Sequence, residues 1–228
     1  MVASIYSLTI FSSALLLFAV QPLISKSLLP LLGGASTVWN TALVFFQSLL
    51  LGGYIYAFIL SKLHNIRHQV FIHTCVLILV FLTLPIGRPK GWIPPATNNP
   101  IPWLVAALFI LVSAPFFAPA NSAPLFKKWL SYTSHKNAGN PYFLYAASNL
   151  GGFVALLTYP TIVEPILTLA EQRWAWSMGF IVFAGIVTTC GYFLPRSQDL
   201  PSLPQKVSSD PANQLAPPRI GSGYVGLC

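Results

Sequence analysis

The stretch from Asn140 to Pro165, NPYFLYAASNLGGFVALLTYPTIVEP, leaves this chain few ways to fold. It opens on Asn140-Pro141, an N-cap followed by the residue best suited to a first helical position. It then runs to Tyr159 without a charge. Small residues recur every fourth position: Ala147, Gly151 and Ala155 form one row, Ser148 and Gly152 a second. On a helix each row occupies one face, where a neighbouring backbone can come close, so these are expected packing positions. In water, Gly-Gly and the aromatics make a poor helix. In a bilayer the same segment reads as a tightly packed transmembrane span ending near Pro160.

The device stands earlier in the chain as well. Leu51-Gly52-Gly53-Tyr54 matches Leu150-Gly151-Gly152-Phe153, and Phe18-Ala19 matches Phe117-Ala118, both pairs 99 positions apart. Two matches in one register predict two related units, each about a hundred residues long, closer to the repeats inside transporters than to solenoid repeats. Gly52 and Gly53 join the expected packing positions.

Only 7% of the residues are charged and 55% are hydrophobic, with a mean hydropathy of +0.68. A soluble domain carries about 25% charged residues, and one with this composition would leave much apolar surface in water. The chain reads as an all-α, polytopic integral membrane protein whose first partner is the lipid bilayer. The net charge of +8 does not imply nucleic acid. Its Lys and Arg are scattered through short loops, with no basic stripe and no stacking platform. Cys75, Cys190 and Cys228 form no CxxC and read as unpaired thiols.

Six apolar spans are expected, at about 4–25, 37–60, 70–86, 103–120, 140–160 and 169–194. The first lacks the basic start and cleavage site of a signal peptide and reads as retained. Trp39, Tyr54 and Tyr56 are expected as interfacial anchors. The connections at 26–36, 61–69, 87–102 and 126–139 hold most of the basic residues. Pro115 and Pro119 predict a kinked or broken end to the fourth span, turned toward protein rather than lipid. Thr168 and Glu171 fit a capping box opening the sixth. Residues 196–228 are rich in Pro, Ser and Gln and read as a disordered cytoplasmic tail after a six-helix domain at 1–195.

Lys62, Arg67, Lys127, Lys128, Lys136 and Arg196 fall on one side, Lys26, Arg88, Lys90 and Arg173 on the other. That bias places both termini in the cytoplasm, with the plasma membrane, or a bacterial inner membrane, as the location. An odd number of spans per unit turns the second unit upside down. The result is two inverted three-helix units, half of a major facilitator-like fold.

The run from Val20 to Gly34, with Ser36-Thr37-Val38-Trp39, Leu51-Gly52-Gly53-Tyr54, Asn140-Pro141-Tyr142, Ser148-Asn149-Leu150-Gly151, Tyr159-Pro160 and Glu164-Pro165, resembles the membrane region of spermidine synthase-like proteins. Glu171-Gln172, Trp176-Ser177 and Gly179 extend the resemblance over roughly 10–195. The resemblance implies a major facilitator-like membrane domain fused to an aminopropyltransferase-like domain. The enzyme domain is absent from this sequence: no glycine-rich nucleotide loop and no acidic pair is present. No catalytic residue, metal site or cofactor is expected, and the chain is expected not to be an enzyme. It is expected to transport a small solute such as a polyamine or to anchor an enzyme. A non-catalytic scaffold and a truncated inactive fragment are the alternatives. Six helices make half of a twelve-helix carrier, so a carrier would need a homo-oligomer, a partner membrane chain or a further half.

Four polar residues are candidates for contact with a solute. Asn149, beside Ser148, either meets a solute or bonds a neighbouring helix, the second being the commoner use. Gln21 and Asn121, near prolines, either line a cavity or cap freed carbonyls. His73 is either a proton relay or, more commonly, an interfacial histidine. His64 and His68 have a helical metal-ligand spacing, but without a carboxylate or thiol they read as a solvated face. Glu164, between prolines at a helix exit, reads as solvated.

Overall fold

A computed structural model describes residues 2–33, 35–87, 92–94, 99–131 and 142–192. The described residues are helical, without a strand. They form α1 (Val2–Leu28), α2 (Ser36–Ser61), α3 (Ile66–Phe81), α4 (Ile101–Ser131), α5 (Tyr142–Thr158), α6 (Glu164–Ile166) and α7 (Leu169–Tyr192). A 3₁₀ turn at Leu29–Leu32 extends α1, and a π-helical turn at Tyr159–Val163 joins α5 to α6. Five rods, 4–32, 36–61, 101–130, 142–166 and 169–191, are long and apolar enough to cross a membrane; α3 is a shorter apolar helix.

Successive long helices alternate in direction along the chain. Ser13 of α1 meets Pro119 of α4 while Tyr6 meets Phe126, so these two run antiparallel. Leu16 meets Trp176 and Thr9 meets Cys190, which sets α7 antiparallel to α1. Gln69 meets Trp129 and His73 meets Ser122, so α3 opposes α4. Phe46 against Phe116 and Gly53 against Ala120 make α2 and α4 parallel. α1 packs most extensively on α5, and α2 on α4.

The core is mainly apolar with a few polar side chains in it, and the outer face is apolar as well. Thr9, Ser13, Gln69, His73, Asn121, Ser122, Gln172 and Ser177 are buried. Leu51, Phe58 and Ile59 of α2, Phe71 and Ile78 of α3, and Phe153 and Leu156 of α5 point outward. A hydrocarbon solvent favours that distribution and water does not.

Several expected boundaries move. α1 continues to Leu28 instead of yielding to a loop at Lys26. α3 starts at Ile66, not Val70, because the Asn65 side chain accepts the Arg67 N–H at 3.0 Å and caps the first turn. It ends at Phe81 rather than Ile86. α4 does not break near Ala120: it runs unbroken through Pro115, Pro119 and Pro124 to Ser131, with the first two prolines buried against neighbouring helices. The fifth rod passes Pro160. The Glu164 N–H bonds back to the Tyr159 carbonyl across the wider π turn, which absorbs the proline's missing donor. The cap at Asn140-Pro141, the basic residues Arg88, Lys90, His135, Lys136 and Arg196, the third thiol Cys228 and the tail at 196–228 lie outside the described residues.

The capping box forms as expected. Glu171 Oε2 accepts from the Thr168 N–H and hydroxyl, both at 2.8 Å, and the Glu171 N–H faces Thr168 Oγ1 at 3.4 Å. Replacing Thr168 by alanine is expected to fray the first turn of α7. Faster hydrogen exchange at the Glu171 amide, with the helix body unchanged, is the measurement.

Glu164 is not simply solvated. It pairs with Lys26 at 3.0 Å, tying the end of α1 to the end of the fifth rod. Both side chains are about 40% exposed, so a double-mutant cycle of Lys26→Ala and Glu164→Ala is expected to give only about 0.2–1 kcal/mol of coupling.

Candidate functional site

Small residues on α5 and on α4 create an opening where four helices meet. Gly152 carries no side chain where α5 crosses Phe18, and Ala120 and Ala123 keep α4 slim beside it. The result is a cavity of about 370 Å³ between α1, α2, α4 and α5. Its polar lining comes from Ser13, Tyr54, Ser148 and Asn149, set in a wall of Leu, Phe and Ala side chains with Pro119. No charged side chain lines it.

Ser13 is buried and donates to the Pro119 carbonyl at 2.7 Å, which pins α1 to the proline-rich part of α4. The Asn149 amide has no hydrogen-bond partner among the described residues and is exposed to the cavity side of α5. A primary amide with two donors and an acceptor, a phenol and a serine hydroxyl can together orient a small uncharged polar molecule. They cannot supply a counter-charge. No family model, no curated protein and no solved structure matches this chain.

The structure therefore brings together two of the four polar residues singled out in the sequence, Ser148 and Asn149. Gln21 is half-buried on α1 and does not line the cavity. Asn121 is fully buried on α4 with neither amide atom partnered, and it too lies outside the cavity lining. Among the packing positions, Gly151 faces the Phe11 carbonyl, Gly152 the Phe18 ring and Gly53 the Ala120 side chain, while a Cβ added at Gly52 would lie 3.9 Å from the Phe117 ring. Ala155 is buried and Ala147 half-buried.

Ser13 and Tyr54 were not read from the sequence as lining residues. Ser13 left one weak signal, a hydroxyl pair inside an apolar run. Tyr54, read as an interfacial anchor, lines the cavity. Tyr56 was read the same way, yet its hydroxyl is buried. With α3 starting four residues early, His73 sits two turns into the helix and is fully buried. His64 precedes α3 and His68 lies on it, both exposed, so their spacing is not that of one helix face.

A second cavity, about 200 Å³, opens between α1, the fifth rod and α7 beside Ala155. There Tyr159 donates to Gln172 Oε1 at 2.9 Å, and Gln172 Nε2 donates to the Leu167 carbonyl at 2.9 Å. Its polar groups are used in holding the π turn to α7.

Proposed function

We propose that this chain is an integral membrane domain of six crossing helices that binds and carries a small polar solute in the cavity between α1, α2, α4 and α5. The observation that carries this reading is the cavity itself: a cluster of amide, phenol and hydroxyl groups where four apolar helices meet. Such groups more often bond a neighbouring helix, but Asn149 makes no such bond among the described residues and lines the cavity instead. The chain has no catalytic part in this reading. Six crossings also leave both termini on one face, which the basic residues make the cytoplasmic one.

The reading treats the bundle as two inverted units. The offset of 99 residues carries α1 onto α4, α2 onto α5 and α3 onto α7. The pattern of contacts is unchanged by that exchange: α1 with α5 answers α4 with α2, and α1 with α7 answers α4 with α3. The two sequence matches meet each other across the units. Phe18 of the first packs on Gly152 of the second, and Phe117 of the second on Gly52 of the first. The opposed directions of α1 and α4 fit the inversion.

The likeness to the spermidine synthase-like membrane region points to a polyamine as the solute. The uncharged lining favours a neutral polar molecule, because a polycation entering it would lose hydration without gaining a counter-ion. The full chain in proteoliposomes is expected to take up a labelled neutral amide or amino acid above empty vesicles. Asn149→Leu should lower apparent affinity about five- to tenfold, the loss of one hydrogen bond of about 1–1.5 kcal/mol. Uptake no greater than in empty vesicles, with folded protein confirmed by circular dichroism, would sink the proposal and leave the scaffold reading.

A further inference from the structure

α2 carries an amide where a membrane helix has least use for one. Gln47 is exposed and lies close to the middle of Ser36–Ser61. At about 1.5 Å of rise per residue it stands roughly 16 Å from one end of the helix and roughly 21 Å from the other. That is too deep for a side chain of its length to carry the amide back to a headgroup. It makes no hydrogen bond among the described residues. Elsewhere Gln69, Asn121 and Gln172 are buried, Gln21 is half-buried and Asn149 lines the cavity.

Gln47 does not stand alone on its face. Asn40, Val44, Gln47, Leu51, Tyr54 and Phe58 follow one another at alternate steps of four and three residues, and all six are exposed. Such steps run as a nearly straight stripe along a helix, the seam on which two supercoiled helices pair. The stripe is turned away from Phe46, Gly53 and Ala57, the side of α2 buried within the bundle. Hydrocarbon can cover Val44, Leu51 and Phe58, but it offers nothing to the amide between them.

A carboxamide holds two donors and an acceptor, so an identical carboxamide satisfies it. Two copies of this chain inserted in the same direction present α2 in parallel and Gln47 at equal depth. A two-fold axis along the membrane normal then sets each Gln47 oxygen against the other's amide hydrogens. No charged side chain lies on the stripe to repel its own image.

We propose that this stripe of α2 is the docking surface for a second copy of the chain, paired in parallel through Gln47. The amide pair fixes the register, since sliding either helix by a turn leaves both amides in hydrocarbon. The proposal rests on the reading of α2 as a membrane-crossing helix and is independent of whether the cavity takes a solute.

The test places the full chain in lipid vesicles, with its three cysteines replaced by alanine and single cysteines added along α2. Oxidation is expected to join copies through Val44→Cys, Leu51→Cys and Phe58→Cys. It is not expected to join them through Ser48→Cys or Ile59→Cys, which are also exposed but face elsewhere. Energy transfer between copies dyed at the N-terminus, read as lipid is added, gives the dissociation constant of the dimer. Gln47→Leu removes no contact within the chain and is expected to raise that constant about tenfold. A chain monomeric at every dilution overturns the proposal, as do crosslinks strongest at Ser48→Cys or Ile59→Cys, or a dissociation constant unmoved by Gln47→Leu. Alkaline washing of the same vesicles reports insertion separately. A chain that stays in the membrane yet fails these tests loses the dimer and keeps its crossing helices, whereas one that washes off loses both.

Discussion

Gly151→Ala is expected to be the most damaging added methyl among the described glycines. The added Cβ would press into the backbone carbonyl of Phe11, and it would also lie 3.2 Å from the Ala14 side chain. A carbonyl inside a helix has no rotamer to escape into, so α1 and α5 must move apart along their most extensive contact. Overpacking of this kind costs about 1–3 kcal/mol where side chains can yield, and the upper end or beyond is expected where backbone must. Gly185→Ala is the matched control on an exposed helical position: nothing lies within 4 Å of its Cβ. Thermal unfolding in detergent, followed by circular dichroism, should separate the two clearly. Equal midpoints would show that the close approach of α1 to α5 is not real.

The second large effect is expected at Gln69, a buried side chain that holds two helices and a turn at once. Its Oε1 accepts the Trp129 indole N–H at 2.9 Å, and its Nε2 donates to the Leu63 carbonyl at 2.6 Å. Leucine has a similar volume and no polar atoms. Gln69→Leu therefore leaves the indole N–H of a fully buried tryptophan unpartnered, at a cost of about 1–3 kcal/mol. In a Trp129→Phe background the donor is already gone, so the same substitution should cost distinctly less. A cycle in which the two changes simply add would mean that the bond contributes nothing.

What could be read in the sequence was whatever repeats along one helix. The small-residue rows of α5, the glycine pair of α2 and the Thr168–Glu171 cap depend on neighbours three or four positions away, and those were legible. Charge misled at the ends. Arg67 and His68 suggested a loop, where Asn65 in fact starts α3. Lys127 and Lys128 suggested that α4 had finished, whereas Lys127 lays its ammonium 3.6 Å over the Tyr145 ring, a place where a long cationic side chain can stay inside a helix. The π turn carries no local pattern distinct from a proline stop. Ser13 with Pro119, and His73 with Ser122, were out of reach for another reason. Their partners stand 106 and 49 positions away, and a lone hydroxyl or imidazole in an apolar run looks the same with or without a companion.

The crossing of Phe18 onto Gly152 and of Phe117 onto Gly52 bears on how the bundle comes together as it is made. When α1 to α3 have left the ribosome, Phe117 and Gly152 are not yet made, so neither contact can form. Both contacts thus wait on synthesis of α4 and α5.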